Sequence, residues 1–255
     1  MPRFAANLTM MFNEVPFSQR FKAAADAGFG AVEFLFPYDH PAESVAEWLQ
    51  VAGVRPALFN MPPGDWAAGD RGYAALPGRQ EDFRHTVNKA IDYARIIGTP
   101  FLHMMAGIAD GTDAAAKRTY RDSLKFAADA TAEIGVGLVI EPLNKRDMPG
   151  YFLDDFDRAA DIIAELDHPN LKLQFDIYHR QIMHGDVLKG LEKMMPIIGH
   201  IQTASVPKRN EPGTGELNDA RIFQVLDELG YGGYVGCEYR PTGDTVAGLG
   251  WMQAI

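Results

Sequence analysis

Four apolar segments in the second half of this chain each end in a side chain that carries an oxygen ligand. The first, Gly-Leu-Val-Ile at 137–140, meets Glu141 and is stopped by Pro142, which cannot continue the hydrogen bonding of a sheet. A buried carboxylate there needs a cation, a proton or hydrogen-bond donors. Three further segments end at Asp176, Gln202 and Glu238, with successive spacings of 35, 26 and 36 residues. Each spacing fits one strand, one helix and their loops, as in a βαβ repeat.

The whole chain alternates between strand-like and helix-like segments. Strict alternation predicts a parallel sheet, and eight units favour a closed (β/α)8 TIM barrel over an open doubly wound sheet. The length of 255 residues suits such a barrel and no linker interrupts it, so we expect a single domain over 1–255. The predicted strands are 4–8, 31–35, 55–60, 101–105, 137–141, 171–176, 199–204 and 234–239; the predicted helices are 17–27, one opening at 41–42, 81–97, 114–134, 154–166, 187–195, 219–229 and one from 246.

Composition narrows the class of protein. Hydrophobic residues make up 47% of the chain, which is enough for a sizeable core. A formal charge of -10 and a pI near 5.1 argue against a nucleic-acid surface. One cysteine, no apolar run of membrane length and no signal-peptide pattern predict a cytoplasmic protein. Barrels of this kind often form homo-oligomers, although no heptad or exposed stripe indicates how this one would.

The four strand-end side chains predict a metal site. In (β/α)8 barrels the active site lies at the carboxyl ends of the strands, where Glu141, Asp176, Gln202 and Glu238 fall. Carboxylates and an amide oxygen favour Mg²⁺ or Mn²⁺ over Zn²⁺. For each Glu alone, a surface residue paired with Lys or Arg is the less favoured alternative, and it weakens further when the four side chains are taken together. Gln202 is equally consistent with a hydrogen bond to a neighbour.

Loop residues near these strand ends are candidates for binding a substrate. His179, three residues after Asp176, is expected in a loop facing the same cavity, where it would polarise a substrate oxygen; a structural His is the alternative. Arg209 would fork onto a substrate carboxylate or remain solvated. Asp147 would bind a substrate hydroxyl or cap a turn, and Trp66 would form an apolar wall.

The remaining candidates are read as packing or as a lid. His103 and His200 sit on strands and are expected to be core residues or members of a layer inside the barrel, and Cys237 is expected to pack. The long loop 61–79 is rich in Gly, Pro and Ala, and loops of this length inside a compact domain are often lids.

Two carboxylates beside a divalent metal indicate proton transfer next to a carbonyl. A metal that holds a carbonyl and an adjacent hydroxyl acidifies the C–H between them. One Glu removes that proton to give an enediolate, and the other, or the same one, returns it. Return to the neighbouring carbon is an aldose–ketose isomerisation, and return to the opposite face is an epimerisation. The residues alone leave both open.

Ten motifs together resemble the hydroxypyruvate isomerase family of the xylose-isomerase-like barrels, over nearly the whole chain. They are Arg3–Leu8, Met10–Phe12, Val32–Tyr38, Pro63–Gly69, Leu76–Arg79, Glu141–Asn144, Phe175–His179, Gly199–Gln202, Glu211–Glu216 and Gly236–Tyr239. The resemblance implies that Glu141, Asp176, Gln202 and Glu238 are metal ligands and that Glu141 and Glu238 are the proton donor and acceptor. It implies interconversion of hydroxypyruvate and tartronate semialdehyde.

The resemblance also defines the competing activities. A related 2-oxo-tetronate isomerase, acting on a four-carbon 2-oxo acid, shares most of these motifs. Similar ketose 3-epimerases carry His where this chain has Gln202, which counts against epimerisation. The barrel family also includes metal-dependent abasic-site endonucleases, which use several His ligands and a basic groove, whereas this chain has seven His and an acidic balance. A non-catalytic sugar-acid-binding barrel is the third class.

Overall fold

The computed structural model describes residues 1–253 of the chain. Within them, parallel strands pair in chain order into a closed barrel, and the last strand returns to the first with Arg3 opposite Tyr234. The (β/α)8 architecture expected from the alternating pattern is therefore confirmed. The strands are β1 (Arg3–Asn7), β2 (Ala31–Phe34), β3 (Arg55–Asn60), β4 (Phe101–His103), β5 (Gly137–Ile140), β6 (Leu171–Asp176), β7 (Ile198–Thr203) and β8 (Tyr234–Cys237).

Helices surround the barrel, and the longer ones bury one face each, as their apolar spacing predicts. In the part of the chain described, every helix is too short or too polar to cross a membrane. The helices are α1 (Phe17–Asp26), α2 (Ala42–Ala52), α3 (Gln80–Ile97), α4 (Ala114–Ala132), α5 (Phe156–Leu166), α6 (Ile177–Met183), α7 (Val187–Met194) and α8 (Asp219–Glu228), with 3₁₀ turns at Met195–Ile197 and Ala247–Gln253. The predicted last helix thus begins at 247, and its final residues lie outside those described.

Helix α6 corrects the expectation that His179 lies in a loop. Asp176, the last residue of β6, accepts a hydrogen bond from the backbone N–H of Tyr178 at 2.8 Å and so caps the helix that follows directly. Seven residues give too little periodicity to be recognised in a sequence. The consequence is that His179 stands on the first turn of a helix, one turn from the strand end.

The barrel interior contains a polar layer where many barrels have branched apolar side chains. Glu33 on β2 is fully buried and accepts hydrogen bonds from Asn7 Nδ2 at 2.9 Å and Gln202 Nε2 at 2.8 Å. His200 Nε2 lies 2.6 Å from its other oxygen. Gln174 Nε2 donates to Gln202 Oε1 at 2.7 Å, extending the layer towards β6. His200 is therefore a layer residue, as the sequence predicted, but one with a buried acidic partner.

Gly236 on β8 leaves the space that the Glu33 carboxylate fills. A methyl group at position 236 would lie 2.1 Å from Glu33 Oε2. We expect Gly236→Ala to destabilise the fold by about 1–3 kcal/mol, because an overpacked interior must shift a carboxylate held by three partners. Urea unfolding measures the loss.

Gly30→Ala is the matched control for this change. A methyl group there meets nothing within 4 Å, so its effect should stay within about 1 kcal/mol. Equal unfolding midpoints for the two variants would contradict the packing argument.

Candidate active site

The four strand-end side chains predicted from the sequence lie at one end of the barrel. Glu141 directly follows β5, Asp176 ends β6, Gln202 is in β7 and Glu238 directly follows β8. All four are at most 7% exposed. A cavity of about 280 Å³ opens at this rim, and among its lining residues are Glu141, Glu238, His179, Arg209, Asp147 and Trp66.

Three ligand atoms cluster tightly enough for one cation. Glu141, Asp176 and His179 each offer an atom within 4.8 Å of the other two. Glu141 Oε1 is buried and has no hydrogen-bond partner among residues 1–253, so one hard oxygen is free to coordinate. Two buried carboxylates of this kind fit a divalent cation.

The other two predicted ligands flank this cluster in different ways. Gln202 accepts from Gln174 and donates to Glu33, so its amide belongs to the polar layer directly below the rim. Glu238 reaches Asp176 through a guanidinium: Arg209 Nη2 lies 2.5 Å from Glu238 Oε2 and 3.2 Å from Asp176 Oδ2.

Arg209 is the positive charge that joins the acidic groups. Besides those two carboxylates, its Nη1 lies 3.9 Å from Asp147 Oδ2, and its guanidinium lies 4.8 Å from the ring centre of Tyr178. Only 12% of the side chain is exposed. Its backbone has a φ of 57°, which lies in the left-handed region.

Burial and charge crowding perturb both glutamates. Burial raises the pKa of Glu141 well above its usual range, and the charges of Glu238 and Asp176 add to this, while Arg209 opposes it. Burial also raises the pKa of Glu238, against the lowering effect of Arg209. Both carboxyl groups therefore hold a proton more readily than an exposed glutamate does, which suits a group that transfers protons.

His179 is held in one orientation by Asn144. The backbone N–H of Asn144 donates to His179 Nδ1 at 3.1 Å, and the Asn144 side-chain nitrogen lies 2.7 Å from the same atom. Burial lowers the pKa of His179 well below its usual value, so the ring is neutral. With Nδ1 accepting, the proton sits on Nε2, which lies 3.5 Å from Asp176 Oδ2. Arg209 Nη2 lies 3.4 Å from Nε2. In this tautomer Nε2 is a donor, so the atoms of the cluster that can coordinate a cation are the oxygens of Glu141 and Asp176.

His103 contributes to the site although the sequence assigned it to the core. It is buried, lines the cavity, and has its Nδ1 3.8 Å from Glu141 Oε2. Burial lowers its pKa to about 3, with the nearby His200 adding to the effect. A neutral ring at that distance is a polar wall beside Glu141 and no ion pair.

Aromatic and loop residues form the outer wall. Trp66, from the long loop 61–79, is 41% exposed, and its ring centre lies 5.4 Å from that of Phe36. The guanidinium of Arg71 stacks 3.6 Å above the Trp66 ring and holds it at the mouth. Asp147 lies on the opposite side, hydrogen-bonded to Asn144.

Three contributors to the site were not identified from the sequence. Glu33 could have been recognised as an acid inside an apolar strand, and Asn144 as a polar residue three positions after Glu141. Arg240 lines the cavity two residues after Glu238. An exposed Arg beyond a strand carries no sequence signal of its own.

Comparison with known proteins confirms the resemblance seen in the motifs. A family model described as xylose isomerase-like TIM barrel matches residues 21–255. A 2-oxo-tetronate isomerase of Cupriavidus necator is 55% identical, with 99% of this chain and 98% of that protein covered. A hydroxypyruvate isomerase of Escherichia coli is 42% identical over 99% of each. A solved structure titled AP endonuclease, family 2, from Brucella melitensis has a TM-score of 0.97 at 50% identity, covering 100% of this chain and 99% of that one.

Arg209 should stabilise the metal-free protein. Arg209→Met removes the guanidinium and leaves Glu238 and Asp176 buried without their shared cation, so we expect a loss of about 3 kcal/mol in unfolding free energy in EDTA. Mg²⁺ should restore part of it, because a divalent cation replaces the missing charge.

Arg221→Met is the matched control, because it breaks an exposed pair with Glu228 and should cost about 0–1 kcal/mol. Similar losses for the two variants would show that Arg209 does not compensate the acidic cluster.

Proposed function

This chain belongs to the xylose isomerase-like TIM barrel family, and we propose that it is a metal-assisted isomerase of a short 2-oxo acid. The observation that carries the proposal is a pair of buried glutamates, Glu141 and Glu238, on the wall of one small cavity. A cavity of about 280 Å³ is large enough for a substrate of three or four carbons.

We favour a four-carbon substrate of the 2-oxo-tetronate class. The relative that bears this name is 55% identical, against 42% for the relative named hydroxypyruvate isomerase. Hydroxypyruvate, the substrate expected from the motifs, is the second candidate. Both compounds present a carboxylate, a carbonyl at C2 and a hydroxyl on C3, so one mechanism serves either.

The two glutamates move the proton in this proposal. One carboxylate removes the C3 proton and an enediolate forms across C2 and C3. The other glutamate delivers a proton to C2, while the hydroxyl proton passes from the C3 oxygen to the C2 oxygen, which leaves the carbonyl at C3. Their raised pKa values suit both halves of the exchange. Arg209 keeps Glu238 oriented at 2.5 Å.

Mg²⁺ or Mn²⁺ is the proposed cofactor. Glu141 and Asp176 would hold it, with Glu238 and Gln202 as the further ligands predicted from the strand ends. When bound, such a cation acidifies a C–H bond beside a carbonyl. Its charge also offsets that of the buried carboxylates.

The neighbouring residues orient the substrate. His179 would donate from Nε2 to a substrate oxygen, and Asp147 would accept from a hydroxyl. Arg209 remains a candidate contact for an oxygen on the reacting carbons. Trp66 would close the mouth of the cavity and exclude water.

The name of one similar solved structure, AP endonuclease, family 2, favours an endonuclease, but the residues of the site argue against that activity. A DNA backbone needs an extended basic groove, whereas this chain has a formal charge of -10 and a small cavity lined by carboxylates. We therefore keep it outside the proposal.

Exchange of substrate hydrogen with D₂O, followed by NMR, tests the proposed reaction. The protein would be incubated with 2-oxo-tetronate, hydroxypyruvate or a neutral ketose, in Mg²⁺ or in EDTA. We expect deuterium in a 2-oxo acid, together with its isomer, in Mg²⁺ but not in EDTA. Exchange of the ketose alone would replace isomerase by epimerase, and exchange of none would favour a binding barrel.

Replacing either glutamate by glutamine tests the proton-transfer pair. Glu141→Gln and Glu238→Gln should each lower turnover by about 10²–10⁴-fold, since each removes a positioned acid–base group. Glu133→Gln, an exposed residue at the end of α4 on the opposite face of the barrel, should leave turnover unchanged. Near-normal turnover in either site variant would refute the two-carboxylate mechanism.

A further inference from the structure

A 2-oxo acid brings a carboxylate into a cavity already rich in acid. Glu141, Glu238 and Asp147 line it, so a positively charged side chain, in addition to the cation proposed beside Glu141 and Asp176, would offset their repulsion of an incoming anion. Among the described residues lining the cavity, the side chains that carry a guanidinium are those of Arg209 and Arg240.

The charge of Arg209 is already committed to the protein. Its guanidinium pairs with Glu238 at 2.5 Å and Asp176 at 3.2 Å, and it is nearly buried. To bind a substrate carboxylate with both nitrogens, Arg209 would have to release Glu238 and Asp176, whose side chains are even less exposed than its own. Arg209 is therefore poorly placed to be the main anion anchor.

Arg240 has a fixed backbone and an uncommitted side chain. Its N–H donates to the carbonyl of Arg209 at 2.8 Å, and its own carbonyl accepts from Asn210 Nδ2 at 2.7 Å. Across residues 1–253, its guanidinium has no ion pair and no hydrogen bond within normal distances. The chain thus holds Cα in place and leaves a planar fork of donors available, the geometry that matches a carboxylate.

The position of Arg240 points its role towards the substrate. It lies at the boundary between the central cavity and a neighbouring one of about 530 Å³, and Met10, Leu35 and Trp66 line both with it. The acid in that second cavity, Glu14, is hydrogen-bonded to Thr245 at 2.7 and 2.8 Å. No carboxylate of the described residues competes for Arg240 at this boundary.

We propose that Arg240 binds the carboxylate of the substrate and so sets the preference for a 2-oxo acid over a neutral sugar. The inference rests on the proposed function, because it assumes that the reacting carbons lie beside Glu141 and Glu238. The carboxylate end then points to the β8 side of the rim. The remaining carbons extend towards Leu143 and Met148, which line the opposite side of the cavity.

Binding of two probes to the full-length protein with Mg²⁺, measured by calorimetry, tests this role. The probes are tartronate, which is anionic, and dihydroxyacetone, which is neutral. Arg240→Gln should weaken tartronate binding at least tenfold and change dihydroxyacetone binding less than twofold. Arg240→Lys should recover part of the loss. Arg118→Gln, which removes an exposed charge from α4, should bind both probes as the wild type does.

Kinetics separate an anchor from a structural residue. For a 2-oxo acid substrate, Arg240→Gln should raise KM at least tenfold and lower kcat much less. An equal loss of both probes, unchanged tartronate binding in Arg240→Gln, or no tartronate binding by the wild type would overturn the proposal.

These experiments can refute the carboxylate-binding role of Arg240 (the anchor) and the proposed reaction independently. If the wild type exchanges no 2-oxo acid but binds tartronate through Arg240, the reaction is wrong and the anchor stands. If it isomerises a 2-oxo acid and Arg240→Gln keeps the wild-type KM, the anchor is wrong and the reaction stands.

Discussion

Compensation of buried negative charge is the constraint on which this barrel depends. Four acidic side chains, Glu33, Glu141, Asp176 and Glu238, are each at most 7% exposed within or at the rim of a closed sheet. An unpaired carboxylate in such surroundings is strongly destabilising. Two arrangements of side chains, one below the rim and one at the rim, compensate this negative charge. Below the rim, Glu33 is saturated by neutral donors and His200, and at the rim Arg209 bridges Asp176 and Glu238.

Glu141 is the acid whose charge is not fully compensated either by neutral donors or by Arg209. It therefore differs from Glu33, which has a structural role. The polar layer is complete around Glu33 and leaves it no freedom to react. Glu141 keeps one oxygen without a partner among the described residues, beside neutral His103 and within reach of Asp176 and His179. An incomplete set of partners is costly for stability, so its presence at a cavity favours a functional reason. A cation is the group that would complete the set.

The sequence predicted the barrel and the position of the acidic side chains at its rim because both follow from one-dimensional patterns. Strand–helix alternation sets the fold, and Pro142 marks where β5 gives way to Glu141. Features that depend on contacts between residues distant in the sequence were harder to predict. Gln202 was recognised as a strand-end oxygen, but its hydrogen bonds to Glu33 and Gln174 depend on three strands meeting inside the ring. Helix α6 was missed because its start depends on a cap by Asp176, which the pattern had already assigned to the metal site.

Side chains at the end of β8 alternate between positions that line the cavity and positions that are packed in the interior. Beyond the strand, Glu238 and Arg240 both line the cavity, whereas Cys237 and Tyr239 are fully buried. Tyr239 is fixed from the other side, because Trp251 Nε1 donates to its hydroxyl at 3.3 Å. The packed positions thus determine where the reactive positions point. Because the Arg240 side chain has no ion pair or hydrogen bond among the described residues, a change of charge there would leave the buried acids undisturbed. Any change at Glu238 would also disturb Arg209 and Asp176. Under the proposed roles, substrate preference would therefore vary at one exposed residue while the two glutamates stay fixed.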